Sequence, residues 1–133
     1  MKLLITEEGA YIMEEVVYST NELTRNLHKL ERIATLGDNW NGYGAEPLSA
    51  KLILQVRNLL YELYIQPEIF PTAAGTIQLE YEKDNGDYLE FQLNGTGQCE
   101  CFRIINGVEE FFSVHEIPEA INDIVGDFYG RSF

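Results

Sequence analysis

The sequence has no long hydrophobic run and few basic residues. No apolar segment approaches the roughly 20 residues that a membrane-spanning helix needs, and acidic residues interrupt the N-terminal apolar stretch too early for a secretory signal core of about 7–15 residues. Nine basic residues against 22 acidic ones give a formal net charge of −13. This charge opposes binding to nucleic acid and to anionic membranes. We therefore expect a cytoplasmic protein whose partners are basic or neutral.

The sequence also has little that could bind a metal or perform catalysis. Its two cysteines, Cys99 and Cys101, would point to the same side of a strand, which is poor geometry for a disulfide. The two histidines, His28 and His115, are isolated, and none of the common nucleophile, phosphate-loop, dinucleotide or metalloprotease motifs occurs. We interpret the cysteines as core residues, and we predict a protein without cofactor, metal or catalytic residues, and so not an enzyme.

The length and the hydrophobic patterns predict a single domain over residues 1–133 with an α+β fold. A capping box of Ser19 and Glu22 precedes a helical pattern over residues 20–36, and Ser49 can cap a second helix that Pro67 ends. We expect a four-stranded antiparallel meander sheet, or one with more strands, to follow these two helices.

The remaining segments, at the two ends of the chain and between the second helix and the sheet, are also predicted from their sequence patterns. Short strands are expected at residues 3–5 and 11–17, which are rich in β-branched and aromatic residues. The segment from Pro67 to Gly75 is read as an irregular connector. A final helix is expected over residues 116–129, with Pro118 in its first turn.

The alternation of apolar and polar residues predicts the register of the sheet. A three-residue loop at 84–86 pairs Tyr81 with Leu89, and a similar loop at 94–96 pairs Leu89 with Cys101. Three glutamates would then lie side by side on the outward face, namely Glu80, Glu90 and Glu100. Like charges opposite each other destabilise a sheet, so this row needs full solvation or a cation and is a candidate partner surface.

A further strand is expected at residues 108–114, after an Asn-Gly turn at 106–107. Aromatic and aliphatic side chains in this hairpin, which include Phe102, Ile104, Phe111 and Phe112, would leave apolar surface exposed. Exposed apolar patches often mark subunit contacts, so homo-oligomerisation is one hypothesis for this surface.

A glycine-rich loop at residues 36–49 contains the only tryptophan. In a structural interpretation, Trp40 and Tyr43 pack under the loop, because aromatic residues in such connectors usually fill the core. In a functional interpretation, the same two rings are exposed contact anchors, and Asp38 is one of their polar partners. Both interpretations are open at this point.

The loop sequence W-N-G-Y-G-A-E-P-L-S, the helix after it and the I-Q-L-E-Y strand at residues 77–81 resemble a group of uncharacterised small bacterial and phage proteins. That group shares a W-[ND]-G-Y-G-A-x-P-[LI]-S loop followed by an I-Q-L-E-[WY] strand, and the resemblance covers residues 36–93. It implies a bacterial or phage origin and emphasises the loop together with Glu80 and Glu90. It implies no activity.

Two classes of function follow from these patterns. The first is a non-catalytic acidic protein that neutralises a basic protein partner, such as a nucleic-acid-binding protein or a nuclease, in the manner of an antitoxin, an immunity protein or a phage anti-defence protein. Its predicted contact residues are Glu80, Glu90, Glu100, Trp40, Tyr43 and Asp38. The alternative is a small-ligand or saccharide-binding module, or an enzyme, centred on the Trp40 loop.

Overall fold

The computed structural model describes residues 14–131, with side chains from residue 21 onward, and has an α+β fold. Its elements are α1 (Glu14–Ala34), α2 (Ala50–Leu60), β1 (Glu68–Pro71), β2 (Ile77–Glu82), β3 (Tyr88–Leu93), β4 (Gln98–Ile105), β5 (Val108–His115) and α3 (Ile117–Tyr129). The strands form one antiparallel meander in the order β1-β2-β3-β4-β5. The predicted fold class is confirmed, with five strands in the sheet.

Helix α1 begins earlier than its sequence signals indicate. Residues 14–17 are helical, so the strand predicted at 11–17 is wrong over that part, while residues 3–5 and 11–13 lie outside the described residues. Ser19 lies within the helix and is not its N-cap, so the predicted capping box is also wrong. Extending a formed helix by one residue requires no new nucleus, which lets helix propagation override a local β preference.

Helix α2 begins as predicted but ends early. The Ser49 side chain accepts a hydrogen bond from the Leu52 N–H at 3.1 Å, which confirms the cap. The helix ends at Leu60, whose carbonyl accepts a hydrogen bond from the Gln66 side chain at 2.8 Å. The segment beyond it, predicted as an irregular connector, contains strand β1. Proline at its end is tolerated because β1 is an edge strand, where a backbone N–H can face away from the sheet.

Two buried asparagines tie the chain between α2 and β1 to the other helices. Asn26 of α1 donates to the carbonyl of Pro67 at 2.9 Å. Asn122 of α3 accepts from the N–H of Tyr64 at 3.0 Å and donates to the carbonyl of Glu62 at 2.9 Å. These bonds satisfy backbone groups that no regular element would otherwise pair.

The β2–β3 register is the predicted one, with Tyr81 opposite Leu89. The predicted β3–β4 register is wrong by two residues, because Leu89 lies opposite Arg103 rather than Cys101. The loop between these strands is longer than predicted. The Thr96 hydroxyl contributes to its shape by donating to the Asn94 side chain at 2.8 Å. A shift of two residues keeps every side chain on its face of the sheet, so both cysteines still point into the core.

The described helices pack on one face of the sheet. Apolar side chains from all three helices form one buried cluster with the inward side chains of the strands. In α3 the predicted inward residues Ile117, Ile121, Val125 and Phe128 are buried, and Ile124 packs against the cluster. The opposite face of the sheet carries exposed and half-buried polar and aromatic side chains. We call it the open face.

Candidate functional site

Three glutamates lie side by side on the open face. Glu68 of β1 is the cross-strand partner of Glu80 of β2, and Glu80 is the partner of Glu90 of β3. Neighbouring strands are about 4.8 Å apart, so the three carboxylates are close enough to repel one another. We call Glu68, Glu80 and Glu90 the carboxylate row.

The sequence predicted Glu100, and not Glu68, as the third member of this row. Glu100 lies opposite Gln92, and its carboxylate accepts a hydrogen bond from the Ser113 hydroxyl at 3.1 Å. The shifted β3–β4 register places Phe102 beside Glu90 instead. Glu68 was missed because β1 was read as a connector. The polar-apolar alternation of residues 68–70 next to Pro67 was the available signal for an edge strand.

Two neighbouring side chains position two of the three members of the carboxylate row. Gln78 donates from its side-chain amide to Glu80 at 2.5 Å, and the Tyr88 hydroxyl donates to Glu90 at 2.8 Å. Partial burial, followed by the hydrogen bond to Glu90, raises the pKa of the Tyr88 hydroxyl above its ordinary value. Tyr88 therefore remains a donor throughout the neutral and mildly alkaline range, and these two hydrogen bonds position the carboxylates of Glu80 and Glu90.

The carboxylate row leads directly into aromatic side chains. Phe102 of β4 is the cross-strand partner of Glu90, and Phe111 of β5 is the partner of Phe102. The ring centroids of Phe102 and Phe111 are 4.5 Å apart, and those of Tyr88 and Phe102 are 6.2 Å apart. Phe111 is 75% exposed. We call Tyr88, Phe102 and Phe111 the aromatic patch.

The open face carries negative charge across its whole width. Every strand contributes at least one outward glutamate, and none of the five described strands contributes an outward lysine or arginine. These glutamates are Glu68, Glu80, Glu82, Glu90, Glu100 and Glu109. Among the described residues no group of three His, Cys, Asp or Glu side chains is spaced to hold a metal ion. The charge is thus spread along the face rather than gathered at one point.

The Trp40 loop lies elsewhere. It joins α1 to α2, which pack on the opposite side of the sheet from the carboxylate row. Trp40 is half-buried, and its indole N–H donates to the carbonyl of Glu46 at 2.9 Å. Asn41 accepts hydrogen bonds from two backbone N–H groups of the same loop. Tyr43, by contrast, is 92% exposed, and Asp38 is exposed. The structure therefore does not bring the loop and the carboxylate row together.

A cleft of about 580 Å³, which the sequence did not predict, lies between α3 and the turns that join β2 to β3 and β4 to β5. Four of its five charged side chains form hydrogen bonds within the fold. Arg103 donates to Glu110 at 2.6 Å, Lys83 donates to the carbonyl of Phe128 at 3.0 Å, and Asp87 accepts from a backbone N–H of the β4–β5 turn at 3.0 Å. Of these three bonds, the one from Lys83 joins the sheet to α3, and the other two lie within the sheet and its turns.

The buried thiols are unsuited to nucleophilic chemistry. Burial raises the pKa values of Cys99 and Cys101 to about 12, so almost no thiolate forms at neutral pH. Both thiols are free. They act as small core residues, in agreement with the interpretation from the sequence.

None of the helices within residues 14–131 combines the length and the apolar character that a transmembrane segment requires.

Comparisons with known proteins give no functional lead. No protein-family model, no curated protein and no solved structure matches the chain significantly. The chemistry of the open face is therefore the basis for a functional hypothesis.

Proposed function

We propose that the protein is a non-catalytic acidic binding protein that neutralises a basic protein partner, in the manner of an antitoxin, an immunity protein or a phage anti-defence protein. One observation carries the proposal: the carboxylate row continues across the sheet into the aromatic patch. Buried aromatic anchors supply much of the affinity of protein interfaces, and complementary charge supplies orientation and speed of association.

The carboxylate row supports a binding role because it works against stability. Directly opposed like charges on a sheet cost a few tenths to about 1 kcal/mol per pair. Glu80 faces such a neighbour on each side. Selection for stability alone would not favour these glutamates. A basic surface docked on them would replace the repulsion between carboxylates with attraction to positive charge.

The mechanism we propose is occlusion. The open face docks on a basic cleft of the partner, which fits a nucleic-acid-binding protein or a nuclease because their substrate clefts are positively charged. The net charge of −13 would accelerate the encounter at low ionic strength. The free thiols suit a reducing compartment, so a cytoplasmic location belongs to the same proposal.

The sequence-based hypothesis placed the Trp40 loop in the same contact. Because the loop lies on the helical side, we now propose that the aromatic patch supplies the anchoring contact instead. The alternative, a ligand or saccharide site centred on the loop, has the exposed ring of Tyr43 in its favour. The indole N–H of Trp40 and the side-chain oxygen of Asn41 are already used within the loop, which leaves fewer polar groups for a ligand.

The test is affinity capture from bacterial or phage-infected cells with the wild-type protein and two variants of equal charge change. The row variant carries Glu80→Lys and Glu90→Lys, and the matched control carries Glu31→Lys and Glu119→Lys at exposed helical positions. We expect the wild type and the control to retain one basic protein, identified by mass spectrometry, and the row variant to lose it.

Circular dichroism and thermal melting would establish that both variants are folded. Retention of the partner by a folded row variant would remove the carboxylate row from the binding site. Loss of the partner by the control as well would show that net charge, and not this face, governs capture, and would equally contradict the proposal.

A further inference from the structure

Strand β5 forms one edge of the sheet and is the most exposed of the strands. It pairs with β4 without interruption from Val108 to His115, and no other strand of residues 14–131 pairs with its outer side. Val114 is its only buried residue, whereas Val108 is 63% exposed and Phe111 75% exposed. For most of its length, β5 is therefore open on both faces and along its edge.

The turn before β5 determines which backbone groups point outward. Asn106 and Gly107 have φ values of 51° and 79°, as in the type I′ turn that closes a two-residue hairpin. The residues flanking such a turn form a hydrogen-bonded pair, and the pairs then alternate along an antiparallel ladder. The N–H and C=O groups of Glu109, Phe111 and Ser113 accordingly face the open edge.

The protection of this edge against strand pairing is charge of one sign. Natural edges are protected by charged side chains, especially lysine, by proline or by a bulge, and β5 has no lysine, proline or bulge. Its charged residues are Glu109 and Glu110. Two copies of a chain with a net charge of −13 repel each other, so the edge disfavours a second copy of itself while attracting a strand of opposite charge.

We propose that β5 accepts an extended basic segment of the protein partner as an additional strand of the sheet. Its backbone pairs with Glu109, Phe111 and Ser113, its basic side chains lie beside Glu109, and its apolar side chains pack on Phe111. This mode of binding rests on the proposed function, because it takes the partner to be basic. It adds directional main-chain hydrogen bonds to a contact that is otherwise made by charge and aromatic surface.

The first test uses two synthetic peptides at about 0.15 M salt, where the Debye length is about 8 Å. One is a short peptide in which lysine and valine are two residues apart, with threonine between them, so that both lie on the same face of a strand, as Glu109 and Phe111 do. The other is the same peptide N-methylated at consecutive backbone amides, which blocks both of its edges because successive N–H groups point to opposite sides of a strand. Both have the same charge, but only the unmethylated peptide can join a sheet. By calorimetry we expect the unmethylated peptide to bind on the order of tenfold more tightly. Equal affinities, or no binding by either peptide, would overturn the proposal.

The second test changes the edge itself. Ser113→Pro removes an outward N–H without removing a hydrogen bond to β4, and Ser113→Ala removes the same hydroxyl while keeping the N–H. We expect the proline variant to bind the unmethylated peptide on the order of tenfold more weakly and the alanine variant to bind as the wild type does. Equal binding by the two folded variants would contradict strand addition.

If the proline variant fails to fold, hydrogen exchange on the wild type tests whether the peptide pairs with the edge of β5. In the free protein we expect fast amide exchange at Glu109, Phe111 and Ser113, and protection of these amides when the peptide binds. Protection already present in the free protein would mean that the edge is occupied, and would overturn the proposal.

The peptide and capture experiments together distinguish a failure of strand addition from a failure of the proposed function. If the row variant loses the cellular partner while both peptides bind the wild type equally, the open face binds the partner without strand addition at β5. If the row variant keeps the partner while methylation still weakens peptide binding, the edge of β5 accepts a strand and the carboxylate row does not contribute to binding.

Discussion

Replacing Glu80 by glutamine should stabilise the protein. Glu80 lies between Glu68 and Glu90, and glutamine has nearly the same shape while lacking the charge. The glutamine side-chain oxygen can still accept the hydrogen bond from Gln78. Each directly opposed pair of like charges costs a few tenths to about 1 kcal/mol. Removing two such pairs should raise the free energy of unfolding by about 0.5–1.5 kcal/mol, less any weakening of that hydrogen bond.

Urea unfolding followed by circular dichroism would measure this change. Raising the salt concentration from about 0.01 M to 1 M shortens the Debye length from about 30 Å to 3 Å, so the gain from Glu80→Gln should shrink as salt is added. The matched control is Glu100→Gln, which makes the same chemical change on the same face but opposite Gln92 rather than a carboxylate. We expect the control to change stability by less than about 0.5 kcal/mol.

A double-mutant cycle completes the experiment. Glu80→Gln and Glu90→Gln together should stabilise by less than the sum of the two single substitutions, because they remove the same repulsion. Additive effects, a gain that does not depend on salt, or an equal gain from Glu100→Gln would refute the reasoning that the carboxylate row stores electrostatic repulsion.

Three further predictions concern stability and can be measured by urea unfolding. Ser49→Ala removes the N-cap of α2 and should lower the free energy of unfolding by about 1 kcal/mol, with an unchanged m-value. Asn122→Ala leaves two backbone groups without their partners and should lower it by about 2–3 kcal/mol, whereas Asn58→Ala at an exposed site of α2 should change it little. Because burial raises the pKa values of Cys99 and Cys101 to about 12, the stability due to their neutral thiols is fully present below pH of about 9 and is lost as pH rises toward 12. Cys99→Ser should therefore flatten the decline in stability between about pH 9 and 10, and an unchanged slope would contradict this assignment.

The patterns that were predicted correctly are those that depend on neighbours in sequence. The cap at Ser49 needs only a hydroxyl three residues before a free N–H. The inward positions of β2 and β3 follow from strict alternation, and the Asn-Gly dipeptide before β5 leaves little choice of turn. Each of these features is decided within a few residues.

Two of the features that were missed depend on partners far along the chain. Strand β1 has four residues and no pattern of its own beyond Glu68-Ile69-Phe70, and its backbone becomes a strand because β2 provides hydrogen-bond partners. The β3–β4 register depends on the length of a loop that side-chain hydrogen bonds, such as the one between Thr96 and Asn94, help to shape. Propensity does not reveal such bonds.

The error in register changes the chemistry expected of the open face. In the predicted register, Glu90 would lie beside Glu100, and the row of glutamates would not meet an aromatic side chain at that position. In the structure, Glu90 lies beside Phe102, and Phe111 follows on the next strand. The carboxylates of β1 to β3 are therefore followed across the sheet by the aromatic side chains of β4 and β5. Charge acts over a Debye length and governs the rate of encounter, whereas aromatic contacts act only after docking and govern the rate of dissociation. A partner held by this face would therefore associate more slowly at high salt while dissociating at nearly the same rate.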